Sequence, residues 1–181
     1  MALPQERTYT LEDIYNLPEE TRAELIDGQI YYMAPPSRPH QEILGALYRN
    51  IADYIYAKKG DCKIYFAPFA VFLNKDDINY VEPDISVICD PSKLDDKGCH
   101  GAPDWIIEIV SPGNPEHDYI TKLGKYKTAG VREYWIVDPR RESITVYFFE
   151  GDVWAEHYRF SDAVPANIYD DLTIDFSQFN L

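Results

Sequence analysis

Apolar and polar positions alternate along this chain in two different periods, and the switches between them outline the elements. Ile43, Leu47, Ile51 and Ile55 recur every four residues, which predicts one long helix from about Ser37 to Lys59, stopped at Gly60-Asp61. A shorter helix is predicted over YTLEDIYNLP, opened by Thr10 with Asp13 three residues on as a capping box, and ended by Pro18. ELIDGQIYYM reads as two short strands around an Asp27-Gly28 turn. CKIYFAPFAVFLN reads as a strand interrupted at Pro68, and NYVEPDISVICD as another, with Pro83 near its start. The stretch from Pro91 to Pro103 is predicted to be loop. DWIIEIV is a short strand, followed by a sharp Ser111–Pro115 turn and a helix over residues 116–129 that ends at Gly130. REYWIVDP is a strand, and SITVYFFEGDVWAEHYRF a hairpin around Glu150-Gly151-Asp152. The order implies an α/β (α+β) fold, with a mixed β-sheet flanked by helices.

Within these elements the acids stand out. Alternation along DWIIEIV places Ile106, Glu108 and Val110 on one face and Trp105, Ile107 and Ile109 on the other. A carboxylate in such a run needs a cation, a hydrogen-bond network or water. Glu108 could equally mark a strand end open to solvent, or pair with a lysine. Asp84 stands before Ile85-Ser86-Val87-Ile88 and alone reads as a turn aspartate after proline. Together, Asp84 and Glu108 on neighbouring strands would suit one divalent ion, and oxygen ligands favour Mg²⁺, for which Mn²⁺ can substitute. On the following helix Asp118, Lys122 and either Lys125 or Tyr126 share a face. That face could be a solvated one with an Asp118–Lys122 pair.

Composition bounds the reading. The chain has 181 residues, enough for one domain with a real core, expected to span 1–181. Three cysteines, Cys62, Cys89 and Cys99, offer no disulfide framework, as a reducing cytoplasm permits. No apolar run approaches a membrane span, and no signal peptide is read at MALPQERTYT, so the expected address is the cytoplasm with no membrane partner. A net charge of −14 works against a nucleic-acid partner at long range. The charge is uneven, though. Lys122 to Arg141 holds six basic residues against two acids, which leaves room for a local cationic surface.

The ordered set ELIDGQI, His40 at a helix start, VEPDISVICD, GAPDWIIEIVSP and D-x-x-x-K-x-x-x-Y-x-x-A-G-V-R-E-Y-W-I-V-D-P resembles the Uma-type restriction endonucleases of the PD-(D/E)XK nuclease superfamily. It covers roughly residues 10 to 150. The resemblance implies a restriction-endonuclease-like fold and Mg²⁺-dependent phosphodiester hydrolysis. Pro83-Asp84 matches the first half of the superfamily pattern. Glu108-Ile109-Val110 matches the second half, with valine where lysine is expected. Lys122 on the next helix matches the family's substitute for that lysine. The implied catalytic set is Asp84, Glu108 and Lys122. Asp84 and Glu108 would hold the metal with a backbone carbonyl near Ile109, supported by Glu24, His40 and Tyr126. His40 reads equally well as a hydrogen-bonding residue at the helix start, and Tyr126 as packing. The resemblance also implies nucleic acid, DNA foremost, as partner.

Cutting both strands of a duplex calls for two active centres, so a homodimer is expected. Tyr147, Phe149 and Trp154, aromatics in excess of one small core, would be its exposed face. Valine at position 110 and the acidic charge keep two alternatives open. One is a nuclease-fold binding or accessory protein without activity. The other is a metal hydrolase acting on a small phosphorylated substrate.

Overall fold

The computed structural model describes residues 7–112, 117–152 and 154–179, with His117 and Asp118 described by backbone only. Helix α1 (Leu11–Tyr15) is followed by strands β1 (Ala23–Ile26) and β2 (Gln29–Tyr32), helix α2 (Arg38–Lys58), and strands β3 (Lys63–Phe66), β4 (Val71–Phe72) and β5 (Ile85–Ile88). Then come β6 (Leu94–Asp95), β7 (Gly98–His100) and β8 (Trp105–Ile109). A π-helical stretch (His117–Lys122) runs into α3 (Leu123–Ala129). The chain closes with β9 (Glu133–Asp138), β10 (Ser143–Phe148), β11 (Glu156–Arg159), β12 (Ala163–Pro165) and β13 (Thr173–Asp175).

Six strands form the central sheet in the order β11-β10-β9-β8-β5-β3. Only β8 and β9 run parallel, so the sheet is mixed. β5, β8 and β9 are buried along their whole length, which is why they read as continuous apolar runs. On one face Trp105, Ile107 and Ile109 of β8 pack with Ile43, Leu47 and Ile51 of α2. On the other, Ile106 and Val110 pack with Tyr126 of α3 and with Tyr134 and Ile136 of β9. The two faces of β8 are thus divided as strand alternation requires. α2 opens with the Ser37 side chain accepting from the His40 backbone N–H and ends on Lys59. Lys59 itself takes the left-handed conformation (φ 52°), one residue ahead of the predicted glycine stop. In the β1–β2 turn Asp27 and Gly28 both have positive φ, 50° and 71°, as a two-residue hairpin requires.

Several expectations shift. α1 keeps its capping box but ends at Tyr15, well before Pro18. The interrupted strand at Pro68 divides between two sheets, β3 at the edge of the main one and β4 in a small sheet with β6 and β7. The predicted loop from Pro91 to Pro103 contains the β6–β7 hairpin. The helix over 116–129 starts as a π-helix, with residue 116 outside the described residues. Of the three aromatics expected to be exposed, Tyr147 is buried in the second core and Phe149 packs against it. Trp154 alone is exposed, under the Lys127 ammonium.

The cysteine reading is corrected. Lys63 pairs with Ile88 across the β3–β5 ladder, so Cys62 and Cys89 fall opposite each other one step further along. They form a disulfide, and only Cys99 is free, in the core. A sequence separation of 27 concealed a pairing that antiparallel register enforces. Closing a loop of this length should stabilise the fold by ~3 kcal/mol, chiefly by restricting the unfolded chain. Urea unfolding with and without a dithiol reductant should show that difference. Equal midpoints, or alkylation of all three cysteines in the unfolded but unreduced chain, would exclude the bond.

Candidate active site

The register of two strands brings the two acids together. Ile85 of β5 pairs with Ile107 of β8 in an antiparallel ladder, so Asp84, one residue outside β5, lies opposite Glu108. Directly opposed residues project from the same face of an antiparallel pair. The Asp84 backbone N–H points at Glu108 Oε2 (3.4 Å), and the Ile109 N–H donates to Asp84 Oδ2 (2.7 Å). The Glu108 carboxylate is thus tied to the Asp84 backbone, and the Asp84 carboxylate to β8 through Ile109.

Glu108 is only 4% exposed, as is Lys122. The Lys122 ammonium donates to Glu108 Oε1 (2.8 Å) and sits 2.9 Å from Glu24 Oε2. Glu24 comes from β1, where its Oε1 accepts the Glu82 N–H (3.0 Å). Tyr126, one helical turn after Lys122, donates its hydroxyl to the same Glu108 oxygen (2.6 Å). Lys122 and Tyr126 share the face predicted from their spacing, whereas Lys125 turns away to Asp27. The side chain of Asp118 lies outside the described residues. Burial first, and then the charges of Glu108 and Glu24, push the Tyr126 hydroxyl well above the usual phenol range, so it stays a donor at any physiological pH.

His40, in the first turn of α2, places Nε2 3.0 Å from Asp84 Oδ2. Its backbone N–H also meets the Ser37 hydroxyl, so the helix-start hydrogen bond is present beside the contact with Asp84. Glu24, His40, Asp84, Glu108 and Lys122 line one cavity of about 680 Å³. His100 and His157 lie elsewhere, against Asp95 and Thr145.

Sequence reasoning missed a second layer. Arg22, on the cavity wall, donates through Nε (2.9 Å) and Nη2 (2.7 Å) to Glu82 Oε2. The Tyr80 hydroxyl donates to the other Glu82 oxygen (2.6 Å). The available signal was proximity in sequence: Arg22 and Glu82 each stand two residues before an acid of the site, Glu24 and Asp84.

Among the described residues no group of three or more His, Cys, Asp or Glu side chains is gathered as a ready-made metal cage. Asp84 and Glu108 nevertheless supply hard oxygen donors facing a cavity. Nothing among the described residues donates to Asp84 Oδ1, which leaves that oxygen open to the cavity. Mg²⁺ is held by one or two carboxylates, with water and substrate completing its shell, and this donor set fits that habit.

Residues 10–177 match the sequence model of the Uma2 family, described as "Putative restriction endonuclease". An uncharacterized protein, slr1290, of Synechocystis sp. is 29% identical over 150 residues, covering 80% of this chain and 76% of that protein. A crystal structure described as a "putative nuclease belonging to DUF820" from Anabaena variabilis superposes with a TM-score of 0.75. It covers 94% of this chain and 96% of that one at 22% identity, and so shares the fold.

The ion pairs make the site a structural element as well. Lys122→Met would leave Glu24 and Glu108 buried without their ammonium, which should cost ~3–5 kcal/mol. Tyr126→Phe removes one hydrogen bond and should cost about 1–3 kcal/mol. Urea denaturation of both variants measures this. A Lys122→Met protein as stable as the wild type would mean that the lysine does not neutralise this cluster.

Proposed function

The chain belongs to the Uma2 family, described as "Putative restriction endonuclease", and from that premise we propose that it is a Mg²⁺-dependent endonuclease that hydrolyses nucleic-acid phosphodiester bonds. One observation carries the reading: Asp84 and Glu108 stand opposite each other on adjacent strands, facing the cavity that Lys122 also lines.

Asp84 and Glu108 would hold the metal, together with a backbone carbonyl near Ile109. A metal bound there lowers the pKa of its water, polarises the phosphate and offsets charge on the leaving oxygen. His40 and the Ile109 N–H hold Asp84 in place, and Tyr126 and Lys122 hold Glu108. Lys122 would neutralise the charge that grows on the phosphoryl oxygens as water attacks, when the new P–O bond forms and the bond to the leaving oxygen breaks. Glu24 keeps that ammonium aimed at the cavity. Lys122 thus stands in for the lysine that Val110 replaces.

The nucleic acid, DNA foremost, and the homodimer belong to the same reading. With Tyr147 buried, the dimer rests on the geometry of cutting two strands rather than on a surplus of aromatics. Light scattering at micromolar concentration checks it, and a monomer removes the form that would cut both strands at once.

Two expected outcomes test the chemistry. Millimolar Mn²⁺ should raise the melting temperature of the wild type, because a cation between two carboxylates relieves their repulsion, and Asp84→Asn should lose most of that rise. In cleavage assays at low ionic strength, Lys122→Ala should be slower by ~10²–10³ while its melting temperature still responds to Mn²⁺. Lys125→Ala should cut at close to the wild-type rate. A wild type without any metal response sinks the metal site. A wild type that binds Mn²⁺ and cuts nothing favours the accessory-protein alternative.

A further inference from the structure

The basic residues that could follow a duplex are largely committed to acids. Between Lys122 and Arg141, Lys122 faces Glu24 and Glu108, Lys125 faces Asp27, Arg132 faces Asp104 and Glu150, and Arg141 faces Asp138. Lys127 lies over the ring of Trp154, and Arg140, alone in this stretch, makes no ion pair or ring contact among the described residues. The local cationic surface that the sequence left open is therefore mostly neutralised. A duplex held by its two backbones needs several unpaired phosphate contacts, and a protein of net charge −14 starts at a disadvantage.

The cavity is built differently. At about 680 Å³ it is the size of a small-ligand pocket and large enough for a nucleotide. Arg22 lines it, with Nε and Nη2 fixed on Glu82 and no partner for Nη1 among the described residues. A guanidinium held in this way presents its remaining N–H groups in a set direction, as phosphate recognition favours. Tyr32, at the end of β2, also lines the cavity, is 69% exposed, and stacks on no other ring among the described residues. Met33, Pro35 and Pro36 continue the same apolar wall. A cation for a phosphate and an open aromatic face for a base, both lining one cavity, are the groups by which single strands are held without reading their sequence.

We infer that this site takes an unpaired nucleic-acid strand, with one phosphate on Arg22 and an adjacent base stacked on Tyr32. The inference rests on the nuclease reading of the site and adds its substrate class. A single strand also requires only one active centre. Deoxyribose and ribose strands share this chemistry, and the experiment separates them.

The test uses fluorescence anisotropy of labelled 12-nucleotide probes in Ca²⁺: a deoxy strand, a ribo strand of the same sequence, and the matched DNA duplex. Parallel cleavage gels run in Mn²⁺. The better of the two single strands should bind at least roughly tenfold tighter than the duplex. Tyr32→Ala and Arg22→Gln should each weaken that strand about tenfold, the order expected for losing one stacked base or one phosphate contact. Tyr32→Trp should retain affinity. Because Tyr32 is exposed, its substitution tests binding even if loss of the Arg22–Glu82 pair lowers stability. Equal or tighter duplex binding overturns the inference, and so does strand affinity that is absent or indifferent to both substitutions. Strand binding with the expected pattern but no cleavage in Mn²⁺ upholds the inference and sinks the nuclease reading. Duplex cleavage without strand preference does the reverse.

Discussion

Three carboxylates, Glu24, Asp84 and Glu108, are gathered at one end of this sheet, two of them almost wholly out of water. Like charges in such a place repel one another and lose their hydration, a combination that ordinarily disfavours folding. The Lys122 ammonium makes it tolerable by bridging Glu24 and Glu108, and the hydrogen bonds from Tyr126, His40 and three backbone N–H groups complete the compensation. β1, β5, β8, α2 and α3 each contribute at least one partner to this cluster, at or beside one end. Their relative positions are therefore tied by charge as well as by apolar packing.

The same compensation bears on chemistry. A site in which every acid is held by a donor is preorganised, because its groups need little reorientation when a phosphate arrives. Lys122 is therefore a doubtful residue to judge by activity alone. Removing it takes away the counter-charge of two buried acids along with the transition-state contact proposed for it, so stability has to be measured alongside rate. Arg22 belongs to a separate layer that reaches the same wall through Glu82. It couples to the first layer through the Glu82 backbone N–H on Glu24.

A comparable arrangement supports the far side of the sheet. Glu133 at the start of β9 is fully buried and accepts from Trp135 Nε1, the Asn167 amide and backbone, and the Ile168 N–H. Burial raises its carboxyl above the usual range despite these donors. It ties the loop after β12 to the strand that runs parallel to β8 and so braces the sheet from behind. The sequence gives no hint of this, because R-E-Y reads as an ordinary strand entry.

Much of the fold was legible because local pattern and tertiary role agree. The four-residue repeat of α2, the alternation of β8 and the Asp27-Gly28 turn each encode a face or a conformation that packing then uses. Glu108 was legible as a candidate because a charged side chain in an apolar run demands a partner, Asp84 as a second acid beside an apolar strand, and Lys122 and Tyr126 through the motif of the family the chain resembles. What the chain alone left open was who the partners are. Register decided that Asp84 faces Glu108 and that Cys62 meets Cys89, since pairing across a ladder depends on strands brought together from distant parts of the chain. It likewise took the tertiary structure to turn Arg22 toward Glu82 and to bury Tyr147. Sequence periodicity fixes which side of an element is apolar, but which other element covers that side is settled only when the whole core closes.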